Sequence, residues 1–189
     1  MNKEKELEKL KAEMMEDKSL PLDSNLVFGE GSVNPKLMFI GEAPGEMEDK
    51  LIRPFVGRAG KLLDKLIMSL GWERGDVYIT NIVKRRPPGN RDPLPEEIAL
   101  YRPYLTKQIE IIKPSLVATL GRFSMNYFLP EAKISRDQGK LFKVGGLYIY
   151  PLFHPAAALR SPENMGGALK ESFKKIPAVV KKIEKTKNL

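Results

Sequence analysis

The chain has 189 residues, enough for one generous domain, and residues 1–189 are expected to form a single one. Lys plus Arg exceed Asp plus Glu by 32 − 24 = 8, which favours a polyanionic partner, although a merely basic surface has the same arithmetic. The absence of cysteine and the presence of one histidine exclude a disulfide framework, a thiol nucleophile, a thiolate-held cluster and a zinc site built on two or three histidines.

The opening MNKEKELEKLKAEMMEDK is charged throughout and lacks the apolar stretch of a signal peptide. No run of about 18 apolar residues follows it, so a cytoplasmic protein with no membrane contact is expected. Residues 3–17 are predicted to form an amphipathic helix, with Leu7, Leu10 and Met14 at helical spacing, ended by the stretch Ser19 to Ser24. A short apolar run, Leu26–Phe28, and a turn (GEGSVNPK) lead to a buried strand at Leu37–Ile40. GEAPG (Gly41–Gly45) leaves that strand, and PFVGRAG (Pro54–Gly60) introduces a helix with Leu62, Leu63, Leu66, Ile67 and Leu70 as its stripe and Gly71 as C′ cap. Val77–Ile82 alternates and is β-branched, as a strand requires. KRRPPGNRDPLP holds four prolines in twelve residues and cannot be regular structure. Pro95, Glu96 and Glu97 open the next helix, which Pro103 is expected to kink or split. Leu116–Leu120 is a third strand, followed by Gly121 and a short helix to about Leu129. Leu141–Val144 and Leu147–Leu152 pair around Gly145–Gly146, and a helix near Ala168–Glu184 closes the chain.

Strands alternating with helices indicate an α/β fold, a parallel sheet between helical layers. In such sheets ligands bind beyond the carboxyl ends of the strands. GEAPG, Asn81 with KRRPPGNR, Gly121 and FHPAAALR each follow a strand, so all four are predicted to meet along one edge. No phosphate-loop motif occurs in a strand-to-helix turn. GEAPG is either a tight turn or a loop that carries Glu42 into a pocket. His154, pinned by Pro155 at the end of an apolar run, is either a structural histidine or a catalyst. Asn81 at a strand end either caps a turn or offers its acceptor and donor to a planar, amide-like ligand. Lys84, Arg85, Arg86 and Arg91 form either a solvated charge run or a stiff phosphate-gripping loop, which Arg160 would extend.

VFGEG, FIGEAPGEMED, RPFVGRAGKLLD, VYITNIVK with RRPPGNR, RPYL, LG and FHPAAALR occur in this order over about residues 26–160. Together they resemble the family 4 uracil-DNA glycosylases of bacteria and archaea. The resemblance implies a three-layer α/β/α sandwich around a four-stranded, mainly parallel sheet. It implies an enzyme that flips deoxyuridine out of DNA and hydrolyses its glycosidic bond. It places Glu42 and His154 at the catalytic centre, Phe55 under the uracil, Asn81 on its pairing edge, the Ala43 backbone against the base and Glu48 near its C5 edge. Lys84, Arg86, Arg91, Leu159 and Arg160 would hold or wedge DNA, single- or double-stranded, and a monomer is expected.

The family's [4Fe–4S] cluster needs four cysteines, and this sequence has none. No cluster, metal or other cofactor is therefore expected. Two of the ligand positions fall at Arg85 and Tyr101, the other two near Met14 to Ser19. Tyr101 is expected to pack apolarly, and Arg85 to turn to solvent or an acidic partner. Ile52, where the family carries Gly, is expected to shape the pocket mouth. Two other roles fit the same residues: excision of hypoxanthine or xanthine, and a damage-binding module without catalysis.

Overall fold

A computed structural model describes residues 2–187. Helix α1 (Lys3–Glu16) starts on Asn2, whose side chain accepts from the backbone N–H groups of Glu4 and Lys5. Strands β1 (Glu30–Gly31) and β2 (Leu37–Gly41) follow, then α2 (Glu46–Leu51), α3 (Arg58–Ser69), β3 (Tyr78–Asn81) and α4 (Pro95–Ile112). The chain continues through β4 (Leu116–Leu120), α5 (Arg122–Phe128), α6 (Ile134–Asp137), β5 (Phe142–Val144), β6 (Leu147–Leu152), α7 (Pro155–Arg160) and α8 (Gly167–Lys187).

The sheet order is β1-β3-β2-β4-β6-β5. Its four central strands are parallel to one another, whereas β1 and β5 are antiparallel edges. The expected four-stranded parallel sheet is therefore present, with two short strands added at its borders. β2 and β4 are buried along their whole length, which explains sequences that are apolar at every position but Thr119. Leu37 and Phe39 of β2, with Leu116, Ala118 and Leu120 of β4, pack on the side of α3 and α8 against Leu63, Ile67, Phe173 and Ile176. Met38, Ile40 and Val117 face the opposite layer, built from Leu7, Leu10 and Met14 of α1 and Tyr101, Leu105 and Ile112 of α4. Alternation across the pleat thus separates two helical layers.

The apolar run Leu26–Phe28 is buried; Val27 N–H meets Lys84 O, while the Phe28 carbonyl accepts from two side chains. Two expectations differ from what forms. Residues Glu30–Gly31, read as turn, form the edge strand β1. Helix α4 runs unbroken through Pro103, which is exposed. The carbonyl that loses its amide partner there belongs to exposed Ala99 and faces water, so no split is needed.

Candidate active site

The four strand ends predicted to converge do so. They open into a cleft of about 720 Å³ at the carboxyl edge of the sheet, lined by Glu42 and Ala43 after β2, Asn81 on β3, Gly121 after β4 and His154 after β6. Phe55 and Glu48 complete its wall.

Asn81 is almost fully buried, and its Oδ1 has no hydrogen-bond partner. A buried acceptor left unpaired costs about 1–3 kcal/mol, and one at a cleft wall is placed to accept from whatever enters the cleft. Gly41, its β2 neighbour in register, makes the arrangement possible. A Cβ there would lie 2.5 Å from Asn81 Oδ1 and 2.5 Å from Phe55 Cζ. Glycine lets the carboxamide and the phenyl ring close on one another.

Phe55 sits in the left-handed region at φ 52° with its ring buried. Its centroid is 5.7 Å from that of His154, with the rings inclined by 30°. Glu48 braces the turn after it: Oε1 accepts from the N–H groups of Val56 and Gly57, each at 2.8 Å.

His154 is the N-cap of α7, with Pro155 in the first helical position. Its Nδ1 accepts from the Ala156 N–H at 3.0 Å, so the proton of the neutral ring resides on Nε2. Desolvation brings its pKa down to about 4, and the Arg160 charge adds to that while Glu48 opposes it. The imidazole is therefore neutral at physiological pH, with one N–H to donate. Gly121, at φ 91°, lets it approach: a Cβ there would lie 3.1 Å from His154 Cβ.

Glu42 is half-buried, and desolvation pushes its pKa up to about 7. The negative charge of Asp92 and a hydrogen bond between the two carboxyls add to the rise, and Arg122 opposes it. Arg122 Nη2 is also 3.2 Å from Asp92 Oδ2. Glu42 is thus balanced between acid and base near neutrality. Sequence reasoning missed Asp92 and Arg122; both directly follow residues it had singled out, Arg91 and Gly121.

The DNA-facing expectations divide. Arg160 and Arg91 line the cleft. Arg91, however, spends its fork on Glu97, with Nη2 to Oε1 at 2.6 Å and Nη1 to Oε2 at 2.9 Å. Arg86 lies outside the cleft wall with Nε on Asn90 Oδ1 at 2.6 Å. Leu159 is exposed, also outside it. Lys84 is corrected outright. Its side chain is fully buried and donates to Thr80 Oγ1 and Gln108 Oε1, where no phosphate can reach it. Burial lowers its pKa well below the usual lysine range, because a dry interior disfavours the charged amine. Ile52 does not line the cleft; it caps α2 at φ 54°.

The positions corresponding to cluster ligands do not fit an iron–sulfur group. Tyr101 is fully buried in the apolar layer and its hydroxyl donates to Pro21 O at 2.7 Å. Met14 is fully buried in the same layer, and Asp17 accepts from Tyr104 OH at 2.6 Å. Arg85 is partly exposed and its guanidinium donates to the Ser24 carbonyl rather than to a carboxylate. Packing and hydrogen bonds knit together the segments that thiolates would otherwise join. Among the described residues, no group of three or more His, Cys, Asp and Glu is arranged to hold a metal ion, and no helix is long and apolar enough to cross a membrane.

The uracil DNA glycosylase superfamily model matches residues 28–178. A type-4 uracil-DNA glycosylase of Sulfurisphaera tokodaii is 47% identical over 183 residues, covering 90% of this chain and 83% of that protein. One from Saccharolobus solfataricus is 48% identical over 162 residues (80% and 74%). One from Thermotoga maritima is 42% identical over 163 residues (84% and 85%).

Proposed function

We propose a residue-by-residue mechanism for a chain that belongs to the uracil-DNA glycosylase superfamily and, as a hydrolase of DNA repair, excises uracil from DNA. The observation that carries it is the unpaired, buried Oδ1 of Asn81 at the cleft wall.

The bond to be cut lies inside the base stack, so the deoxyuridine is first extruded, at a cost of a few kcal/mol in a duplex and less in a single strand. Its ring lies on Phe55 against the Ala43 backbone. Asn81 Oδ1 accepts from N3–H and Nδ2 donates to O4. Cytosine presents the opposite pattern and would leave buried polar groups unpaired, which makes the discrimination steep. Glu48 borders the C5 edge, and its hold on the Val56 and Gly57 amides keeps that border fixed.

Cleavage moves the C1′–N1 electron pair onto the uracil, where negative charge gathers on O2, and leaves an oxocarbenium-like sugar. The neutral His154 donates from Nε2 to O2, a developing-anion contact of the kind that contributes roughly 3–4 kcal/mol. The Glu42 carboxylate faces the cationic sugar, orients a water toward C1′ and takes its proton as the new C–O bond forms. Uracil and an abasic site are the products. A base and hydrogen-bond donors suffice for this hydrolysis, so the proposal assigns it no metal or cofactor. Arg160 and Arg86 hold the flanking phosphates, and Leu159 stands at the rim as the wedge into the vacated stack. One domain, acting as a cytoplasmic monomer on single- or double-stranded DNA, completes the proposal.

The test uses labelled oligonucleotides carrying uracil, hypoxanthine or xanthine, treated with alkali after incubation. Strand scission at uracil alone is expected, with His154→Ala and Glu42→Gln binding DNA but losing most cleavage. Scission at a purine, or parental rates in both variants, contradicts it.

A further inference from the structure

Phe55 is an unusual residue for the conformation it holds. Non-glycine residues with positive φ are uncommon, and they persist only where surrounding structure over-determines them. The constraint on the N–H side of this turn is Glu48. On the carbonyl side it is Arg74, a residue of the 3₁₀ turn between α3 and β3, outside every motif that marks the site in the sequence.

All three guanidinium nitrogens of Arg74 are engaged. Nη1 donates to Phe55 O at 3.1 Å and Nη2 to Pro54 O. Nη1 also reaches Asp64 Oδ1 at 2.7 Å, and Nε reaches Glu30 Oε1 at 2.7 Å. Glu30 is itself gripped by Arg53, through Nε at 2.7 Å and Nη2 at 2.9 Å. The side chain of Arg74 is only 20% exposed, so this is an anchored fork rather than a loose surface pair. From the other side, Gly60 admits the turn: a Cβ there would sit 1.9 Å from Phe55 O.

We infer that Arg74 is a positioning residue for base recognition: by holding the carbonyls of Pro54 and Phe55 it fixes the aromatic platform on which the extruded uracil lies. The inference rests on the proposed stacking role of Phe55. Arg74 touches neither DNA nor base. It acts through the Phe55 backbone, with Glu30 and Asp64 keeping the fork aimed. A planar fork is required because two neighbouring carbonyls and two carboxylates must be met from one side chain.

A double-mutant cycle tests this. Single-turnover excision of uracil is measured for the parent, Arg74→Met, Phe55→Ala and the double variant, with affinity for abasic-site DNA measured alongside. Arg74→Met is expected to slow excision by about 10- to 100-fold, the penalty typical of a displaced reacting group. Its affinity for abasic DNA, which has no base to stack, should stay within about twofold. In the Phe55→Ala background the same change should cost less than about threefold, because the platform is already gone. Parental excision by Arg74→Met, or an equal loss in both backgrounds, overturns the inference. Parental excision by Phe55→Ala refutes the stacking role instead and is read separately. If Arg74→Met gives no cooperative melt, Asp64→Asn, which loosens the fork and spares both carbonyl contacts, decides the same cycle.

Discussion

Asp92→Asn probes the electrostatics of Glu42 without altering Glu42. Desolvation is the main cause of its pKa of about 7, and the Asp92 charge with the shared hydrogen bond is the next. The amide removes the like charge and frees Arg122, 3.2 Å from Asp92, to act on Glu42 alone. Carboxylates in contact displace a pKa by a unit or more, so the Glu42 value should fall by about one unit with desolvation still in place. Where a carboxylate is the required base, kcat/KM drops tenfold per pH unit below its pKa and levels off above it. At pH 6 the ionised fraction then rises from about one-tenth to about one-half, a gain of about fivefold. His154, neutral down to about 4, adds no limb in this range. The assay is kcat/KM for uracil excision across pH, each enzyme normalised to its own alkaline plateau so that changed DNA affinity cancels. An acid limb that stays in place, or moves to higher pH, refutes the coupling of the two carboxyls.

Asn81→Asp replaces the amide donor with a second acceptor facing uracil O4. The preference for uracil over cytosine should fall by about tenfold or more, the cost of a lost bidentate pair; an unchanged ratio measured on paired oligonucleotides removes Asn81 from base reading. Ile52 is a β-branched residue at φ 54° on an exposed cap. Ile52→Gly relieves about 1–2 kcal/mol of left-handed strain against about 0.5–1 kcal/mol of backbone entropy, so the melting temperature should rise; a lower one contradicts the strain. Lys84→Met should lower the melting temperature, since Gln108 Oε1 loses its buried donor, and leave the salt dependence of DNA binding unchanged. Arg160→Ala should reduce that slope by about one. A reduced slope in Lys84→Met would return that amine to the phosphates.

Much of the fold was legible because the strands announce themselves. Leu37–Ile40 is apolar throughout and Leu116–Leu120 at every position but Thr119, the pattern of strands buried on both faces, and Gly145–Gly146 marks the closing hairpin. The edge strand at Glu30–Gly31 was not legible, since two polar or small residues carry no periodicity. The cleft was legible as a convergence: four loops after four strands must share one edge. Electrostatics within it was not. Lys84 reads as one more cation in a basic run, and only the fold reveals that its stem points between β3 and α4. The raised pKa of Glu42 depends on Asp92, fifty residues away in the chain, and the Phe55 turn depends on Arg74 and Glu30 from two other elements. Such contacts leave no local signature.

A structure of the protein with free uracil in the cleft tests the central claim most directly. The account predicts the ring stacked on Phe55, N3–H within hydrogen-bonding distance of Asn81 Oδ1 and O2 facing His154 Nε2. Uracil seated elsewhere, or in the cleft with Asn81 Oδ1 still unpaired, contradicts it.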